Sequence, residues 1–237
     1  MDSPPRILIW DLESTGLRAD FGRLLCFSYK WHGEKTVHLE TIRGTKAFQK
    51  PGGWDGDDSE LVRKLHKLLS EADSLVHHFG DRFDLKFFKT RLLELGLCFP
   101  SIHTVDTWKV AKKHLLLQSN RMANIADFLG GEQKSSVPKR DWIKANFGNA
   151  VAIKKLEKYC KQDVATLAGI YEKLLPYTNT INHNLFHHKE GCPKCGCTDT
   201  KLSGFRYTAI GKIQRMACKG CHTWFDAGRA MTKARLR

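Results

Sequence analysis

The chain has 237 residues, 41% of them hydrophobic, which is enough for one large domain or for an ordinary domain with a small additional module. Lys and Arg number 39 against 25 Asp and Glu, and the net charge of +14 makes a polyanion such as nucleic acid the first partner to consider. No apolar stretch reaches the roughly 20 residues of a membrane span, and the N-terminus lacks a signal-peptide pattern, so we expect a cytoplasmic protein with no membrane partner.

The first half of the chain predicts three strands followed by alternating helices and strands. Short apolar runs indicate the strands, and leucines at helical spacing indicate the first helix. The predicted elements are strands at 6–10, 24–31 and 36–41, a helix at 58–71, a strand at 74–79 and a helix at 81–95.

The second half predicts one more strand and a series of helices. The elements are a strand at 101–105, helices at 107–117 and 121–129, a connector at 130–140 and a long helix at 149–175 that Pro176 ends. Three strands followed by alternating strand and helix predict an α/β fold, with a mixed β-sheet flanked by helices.

Acidic residues stand at the ends of several predicted elements. Asp11 and Glu13 lie two apart on a strand, so both side chains point to the same side of the sheet. Such a pair suits Mg²⁺ or Mn²⁺, although a strand that ends in polar residues would look the same. Asp84 lies near the start of a helix, where a carboxylate is also favourable without any ligand, and Asp81 is a candidate N-cap.

The last long helix adds a second acidic position. Tyr159 and Asp163 stand four apart, hence on one face of the helix, beside its apolar stripe. Asp-x-Glu on a first strand, an aromatic-Asp pair opening a helix and Tyr-x-x-x-Asp on a late helix together resemble the DEDD superfamily of 3′–5′ exonucleases, in its Tyr-containing DEDDy branch. The strings HTVDTWKVAKKHL, IADFLGG and KYCKQDVATLAGIYEKL are similar to exonuclease domains of family-B-type DNA polymerases and their stand-alone phage and bacterial relatives.

This resemblance covers roughly residues 5–177 and implies an RNase H-like fold with two catalytic Mg²⁺ or Mn²⁺ ions. It assigns Asp11 to a position between both ions and Glu13 and Asp163 to the ion that holds the attacking water. Asp84 would bind the second ion, and Tyr159 would orient the water through its hydroxyl. Phosphodiester hydrolysis by two ions about 4 Å apart needs this type of carboxylate set.

One position departs from the pattern of the relatives, which usually have Asn where this chain has Phe79. Phe79 either stacks on a base or sugar of the substrate or fills space. Asp106 is interpreted as a helix cap, and the aromatic residues Phe83, Phe87 and Phe88 as mainly core. The nearby histidines, interpreted as ordinary packed or surface residues, are His77, His78, His103 and His114.

Cysteines crowd the C-terminal part of the chain. Cys192 and Cys195 form one Cys-x-x-Cys pair, and Cys218 and Cys221 form another. This spacing is typical of a structural site for one Zn²⁺, and the alternating segment between the pairs predicts a β-hairpin with a turn around Gly211, as in a zinc ribbon. Cys197 is an alternative to Cys195 as a ligand. The expected organisation is an exonuclease domain at 1–177, a linker at 178–189 and a Cys₄ zinc ribbon with a basic tail at 190–237.

Basic and aromatic residues alternate in the ribbon, which favours contacts with phosphates and unpaired bases. The candidates are Arg206, Tyr207, Lys212, Arg215, Lys219 and Trp224. Ribbons also bind proteins or serve only as structure, and these alternatives stay open.

The sequence therefore predicts a metal-dependent 3′–5′ exodeoxyribonuclease that acts on single strands or 3′ ends of DNA. The alternatives are an RNA 3′–5′ exonuclease on the same fold and an inactive nucleic-acid-binding adaptor. The resemblance allows a polymerase or another replication or repair protein as a partner in trans, and it favours a bacterial or phage-infected cytoplasm.

Overall fold

The computed structural model describes residues 6–131, 136–177, 191–193, 197–208 and 211–227. The chain divides into two compact units, of which the larger is Arg6–Leu174 and the smaller contains residues 1–5 and 175–237. Among the described helices, none combines the length and the apolar character needed to cross a bilayer.

The larger unit is built on a five-stranded mixed sheet with the strand order β3-β2-β1-β4-β5. Its strands are β1 Ile7–Ser14, β2 Leu24–Trp31, β3 His38–Thr41, β4 Ser74–His77 and β5 His103–Asp106. The first three strands form an antiparallel meander, and β4 and β5 run parallel to β1. The predicted mixed sheet is therefore confirmed.

Six α-helices accompany the sheet in the described part of the larger unit. They are α1 Ser59–Ser70, α2 Asp84–Glu94, α3 Thr107–His114, α4 Met122–Phe128, α5 Lys139–Asn146 and α6 Ala150–Leu174. Short 3₁₀ turns cover Ile42–Gly44 and Leu175–Tyr177. Helix α6 packs on β1 and β2 because its apolar stripe, from Leu156 to Leu174, is buried.

The core lies on both sides of β1, the central strand. Trp10 and Phe88 meet edge to ring in this core, with centroids 6.4 Å apart, and Phe27 of β2 is also fully buried. Phe87 and Phe88 are buried as predicted, whereas Phe83 is only partly buried.

A buried ion pair ties α2 to the start of α1. The Arg91 guanidinium donates to Asp58 Oδ1 at 2.6 Å and Oδ2 at 3.1 Å, and both side chains are almost completely buried. Asp58 also accepts from the Leu24 backbone N–H at 2.6 Å. One carboxylate therefore fixes α2, α1 and β2 relative to one another, and α2 carries Asp84 at its first turn.

Three sequence predictions about local structure are wrong. Strand β1 does not end before Asp11 but continues to Ser14, because this segment pairs with β2 as far as Leu24. The second helix begins at Asp84 rather than at residue 81, so Asp81 is not its N-cap. Helix α5 was not predicted, and it begins inside the expected connector at Lys139.

The smaller unit contains a three-stranded antiparallel sheet. Its strands are β6 Thr200–Thr208, β7 Gly211–Cys218 and β8 Trp224–Asp226, in that order. Residues Thr208 and Gly211 pair at the end of the β6–β7 hairpin, so the predicted hairpin is confirmed and β8 is an addition to it. The predicted linker at 178–189 lies outside the described residues.

Candidate active site

A cavity of about 750 Å³ opens in the larger unit, and all five predicted catalytic side chains line it. Asp11 and Glu13 come from β1, Asp84 from the first turn of α2, and Tyr159 and Asp163 from α6. Sheet and helix spacing explain this arrangement, because positions two apart on a strand and four apart on a helix share a face. Leu12, between the two acids of β1, lines the same cavity but is itself almost completely buried.

The Asp11 carboxylate has a thiol beside it. The Sγ atom of Cys160 lies 3.5 Å from the Asp11 carbonyl oxygen and 3.8 Å from Asp11 Oδ2. Burial, with Cys26 and the nearby acids as further causes, holds the pKa of the Cys160 thiol well above its ordinary value. The thiol therefore stays protonated and donates to Asp11, an interaction that the sequence pattern did not indicate.

The surroundings of Asp84 strongly raise its pKa. Burial, together with the neighbouring carboxylates of Asp106 and Asp163, raises its pKa to about 7, against hydrogen bonds from the backbone N–H groups of Asp84 and Leu12 that lower it. The Leu12 contact joins α2 to β1 directly. Asp84 thus stands where a second positive charge would relieve both its desolvation and the repulsion from its neighbours.

The α6 side of the cavity is anchored to the sheet edge by a second buried carboxylate. Glu157 accepts from Arg43 Nε at 2.7 Å, from Arg43 Nη2 at 2.6 Å and from Thr41 Oγ1 at 2.5 Å. This bidentate pair fixes the rotation of α6 two residues before Tyr159, which is half-buried, while Asp163 is only 5% exposed.

Residues 8–175 match a family profile described as the RNase_H superfamily. The chain belongs to this superfamily. Among solved structures, the family B DNA polymerase from the hyperthermophilic archaeon Pyrobaculum calidifontis matches with a TM-score of 0.60 and 16% identity. The match covers 73% of this chain but only 25% of the polymerase chain, so the likeness concerns the fold of one part of that enzyme. No curated protein matches this chain.

The donor set of this RNase H superfamily site fits divalent cations. Ligand atoms of Asp11, Glu13 and Cys160 lie within 4.8 Å of one another, and the carboxylates of Asp84 and Asp163 interact across the same cavity. Carboxylate oxygens suit Mg²⁺ and Mn²⁺, and a protonated thiol is a poor ligand for either ion. Enzymes of this fold typically use such ions, so Asp11 and Glu13 could bind them.

Aromatic side chains also line the cavity and form what we call its aromatic wall, with Phe79 and Trp108 as members. Phe79 and Trp108 meet edge to ring with centroids 5.2 Å apart, and the Arg82 guanidinium lies 5.7 Å from the Phe79 ring and 5.5 Å from the Trp108 ring. Phe79 is 37% exposed and has a φ of 63°. Its backbone N–H donates to Asp106 Oδ1 at 2.8 Å, which holds the residue in this left-handed conformation.

Asp106 has the structural role that the sequence predicted. Its carboxylate accepts from the Trp108 backbone N–H at 3.0 Å and caps α3. The same oxygen binds the N–H of Phe79, so Asp106 also fixes the loop between β4 and α2.

Several cavity residues were not found by sequence reasoning. They are Leu17, His78, Trp108, Arg121, Met122, Ala123 and Trp142. Trp142 lies on α5, a helix that the pattern did not reveal, and Arg121 precedes α4 as an exposed cation beside the acidic residues. The aromatic and basic character of TWK and SNRM could have indicated Trp108 and Arg121, whereas no such signal marks the other positions.

In the smaller unit, three predicted zinc ligands come together. Ligand atoms of Cys192, Cys218 and Cys221 lie within 4.8 Å of one another, and the Sγ atoms of Cys192 and Cys221 are 3.6 Å apart. The backbone N–H groups of Gly220 and Cys221 donate to Cys218 Sγ at 3.3 and 3.4 Å. Cys195 lies outside the described residues, and Cys197 Sγ contacts the Asp199 carbonyl oxygen at 3.9 Å.

The predicted nucleic-acid residues of the smaller unit lie on its hairpin, on β8 and beside them. Lys212 Nζ is 3.6 Å from the Phe205 ring centroid and 5.9 Å from that of Tyr207, and the Arg215 guanidinium is 4.6 Å from the Trp224 ring. Two further cations have acidic neighbours, since Arg206 pairs with Asp226 and Lys219 with Asp199.

The raised pKa of Asp84 predicts a pH-dependent metal affinity. Below a pKa of about 7 the Asp84 carboxyl is protonated, so an ion must displace a proton in order to bind. The apparent affinity for Mg²⁺ or Mn²⁺ should therefore rise with pH up to about 7 and then level off. Titration calorimetry in buffers of different ionisation enthalpy would measure this affinity and the released proton.

The same shift has an opposite effect on the metal-free protein. A carboxyl whose pKa is raised on folding from 3.8 to about 7 binds more protons in the folded state, so its contribution to stability falls as pH rises between these values. Asp84→Asn should flatten this part of the stability profile. A metal affinity that is the same at pH 6 and pH 8 would contradict the assignment of Asp84 to a metal site.

Proposed function

We propose that the protein is a metal-dependent 3′–5′ exonuclease of the DEDDy type that hydrolyses DNA from 3′ ends. The observation that supports this proposal is the meeting of Asp11, Glu13, Asp84, Tyr159 and Asp163 in one cavity. The superfamily supplies a nuclease fold, and the likeness to part of a DNA polymerase is compatible with a DNA substrate.

Each group around the cavity has a role in this proposal. Asp11, Glu13, Asp84 and Asp163 would hold two Mg²⁺ or Mn²⁺ ions. When bound, such ions supply a hydroxide-like nucleophile and relieve negative charge on the leaving 3′ oxygen. Tyr159 orients the attacking water through its hydroxyl, and Cys160 holds the Asp11 carboxylate in place by its thiol proton.

The aromatic wall of the cavity would receive the terminal nucleotide. Phe79 and Trp108 offer apolar ring surface on which a base or sugar can pack, and Arg82 and Arg121 add positive charge for phosphates. A phenylalanine ring at position 79 can stack on any base of the substrate. This would account for Phe79 where relatives usually have a polar Asn.

Labelled substrates test the proposal directly. Single-stranded DNA, duplex DNA and RNA, each labelled at the 3′ end or at the 5′ end, would be incubated with Mg²⁺, Mn²⁺ or EDTA. We expect 3′-labelled DNA to release its label as mononucleotides at once, 5′-labelled DNA to shorten progressively, and EDTA to stop both. Degradation of RNA alone would show that the substrate is RNA. Binding without hydrolysis under all conditions would show that the protein is an inactive adaptor.

We further propose that the smaller unit is a zinc ribbon in which Cys192, Cys195, Cys218 and Cys221 bind one structural Zn²⁺. Two thiolates about 2.3 Å from a tetrahedral ion are about 3.8 Å apart, close to the 3.6 Å between Cys192 and Cys221 Sγ. The two N–H groups that donate to Cys218 Sγ also suit a thiolate. This assignment divides the chain into the exonuclease domain 1–177, the linker 178–189 and the ribbon 190–237.

Cys218→Ser should release about one zinc per chain and make the C-terminal unit sensitive to proteases. The short sheet of this unit has few large buried apolar side chains among its described residues, so metal binding would supply much of its folding free energy. Atomic absorption and limited proteolysis would measure both effects. Cys98→Ser, at an exposed cysteine of the larger unit, is the matched control and should keep its zinc. Unchanged zinc content in Cys218→Ser would contradict the ribbon.

The ribbon would bind DNA through its cations and exposed rings. Lys212 with Phe205 and Tyr207 is the best-placed group, because the rings are 46% and 74% exposed and the ammonium lies over them. The contribution of such contacts should weaken steeply with salt. A polymerase or other replication or repair protein is the partner we propose in trans, in a bacterial or phage-infected cytoplasm.

A further inference from the structure

A second cluster of metal-ligating side chains lies next to the candidate active site. His77 ends β4, Asp106 ends β5 directly opposite it in register, and Asp81 follows in the loop before α2. Ligand atoms of these three residues lie within 4.8 Å of one another. The cavity that holds the five predicted catalytic residues is lined by other side chains, so this cluster is separate from it.

The imidazole of His77 is buried and has no hydrogen bond to the part of the chain that the structure describes. Its side chain is 1% exposed, and neither Nδ1 nor Nε2 has a hydrogen-bond partner among the described residues. The nearest carboxylate oxygens are Asp81 Oδ1, 3.4 Å from Nε2, and Asp106 Oδ2, 3.9 Å from Nδ1. Both ring nitrogens therefore face carboxylates at distances too long for good hydrogen bonds. A buried polar group left in this state is costly.

The loop above the ring is shaped to close on it. A Cβ atom on Gly80 would stand 2.4 Å from His77 Nδ1, so only glycine lets the backbone cover the imidazole here. The Asp106 carboxylate is already oriented, because its Oδ1 accepts from the N–H groups of Phe79 and Trp108. Its Oδ2 atom, with one long contact of 3.4 Å from the Asp81 N–H, retains capacity for another partner.

The chemistry of these donors suits Zn²⁺. An imidazole nitrogen and a carboxylate oxygen about 2.1 Å from a tetrahedral ion are about 3.4 Å apart, which is the separation of His77 Nε2 and Asp81 Oδ1. Asp106 Oδ2 lies at the other ring nitrogen, 3.9 Å from Nδ1, where a carboxylate orients a metal-binding imidazole. Burial lowers the pKa of His77, against the pull of Asp106 and Asp81, so the ring is neutral and can bind a metal. Imidazole favours Zn²⁺ over Mg²⁺, which prefers oxygen ligands alone.

We propose that His77, through Nε2, and Asp81 bind a second Zn²⁺ ion, separate from both the catalytic carboxylates and the cysteines, with Asp106 orienting the imidazole at Nδ1 and water completing the coordination. The ion would join the end of β4 to the loop that carries Phe79 and leads into Asp84. Its role would be to fix this loop, and its existence does not depend on the proposed exonuclease activity.

One cation now competes for the same ligands. Lys109 Nζ of α3 pairs with Asp81 Oδ2, and the lysine side chain is 57% exposed. Because Lys109 can move into solvent, a bound ion would displace it from Asp81. Removing the ammonium should therefore tighten zinc binding, which a purely structural pairing of His77 with the two acids would not do.

Zinc stoichiometry and affinity of the full-length protein test this site. Metal analysis after equilibration with Zn²⁺ should find one ion fewer in Asp81→Asn than in the wild type. The matched control is Asp127→Asn, at an exposed carboxylate of α4, which should not lower the count. In a competition titration with a chromophoric chelator, Lys109→Met should bind the additional zinc about threefold more tightly or better.

A second control and a thermal readout complete the design. Lys112→Met removes a cation of the same helix that lies over the Trp108 ring, and it should leave the zinc affinity unchanged. Zinc should also raise the melting temperature of the wild type more than that of Asp81→Asn. An unchanged zinc count in Asp81→Asn, or no tightening in Lys109→Met, would overturn the proposal. Both measurements are independent of nuclease activity.

Discussion

Asp11→Asn is expected to lower the rate of phosphodiester hydrolysis by about a thousandfold or more, equivalent to about 4 kcal/mol of transition-state stabilisation. The carboxylate projects from β1 into the cavity beside Glu13 and opposite α6. The amide keeps the shape of the side chain but removes the charge that would hold divalent ions in the cavity. Single-turnover assays on 3′-labelled DNA with saturating Mg²⁺ would measure the loss.

The matched control for this substitution is Asp127→Asn, which removes one carboxylate from an exposed position of α4 and should leave the rate unchanged. The circular dichroism spectrum of Asp11→Asn should match that of the wild type, because the thiol of Cys160 can still donate to the side-chain oxygen. Full activity in Asp11→Asn would remove this residue from the catalytic site and with it the DEDDy assignment.

Arg91→Met is expected to lower the free energy of unfolding by about 3–5 kcal/mol, a large part of the stability of an ordinary domain. Methionine is an apolar side chain of similar length, so the packing of the stem is kept. The Asp58 carboxylate, however, stays buried and loses its guanidinium partner. Urea denaturation followed by circular dichroism would measure the loss. Because Asp58 also holds Leu24 and the start of α1, the damage extends beyond one helix.

Two further variants identify the cause of that loss. Arg63→Met, at an exposed arginine of α1, should change stability by less than about 0.5 kcal/mol. The double variant Asp58→Asn with Arg91→Met should recover part of the loss, since it removes the uncompensated buried charge. A loss below about 1 kcal/mol in Arg91→Met would show that the ion pair contributes little.

The sequence is informative wherever local spacing decides which way a side chain points. The two-residue spacing of Asp11 and Glu13 and the four-residue spacing of Tyr159 and Asp163 each predict a shared face, and both pairs line the cavity. The order of strands and helices likewise predicts a mixed sheet with helices on its faces. These inferences depend on periodicity, which a single sequence records directly.

The missed features depend on partners distant in the chain. The predicted bounds 6–10 are too short for β1, because the length of this strand depends on its hydrogen bonds to β2. The thiol of Cys160 reaches Asp11 only because α6 crosses β1, 149 residues later in sequence. Asp81 resembles a helix cap locally, yet His77 and Lys109, on two other elements, are its contacts.

Phe79 combines an aromatic side chain with a backbone conformation that aromatic residues rarely adopt. A left-handed φ costs a residue with a Cβ atom about 1–2 kcal/mol, whereas Asn tolerates it through local hydrogen bonds. The relatives' usual Asn is therefore the relaxed choice, and the phenylalanine keeps its geometry only because Asp106 holds the N–H. The position of this ring in the cavity therefore costs conformational energy, and it depends on the rigidity that Asp106 gives to the β4–α2 loop.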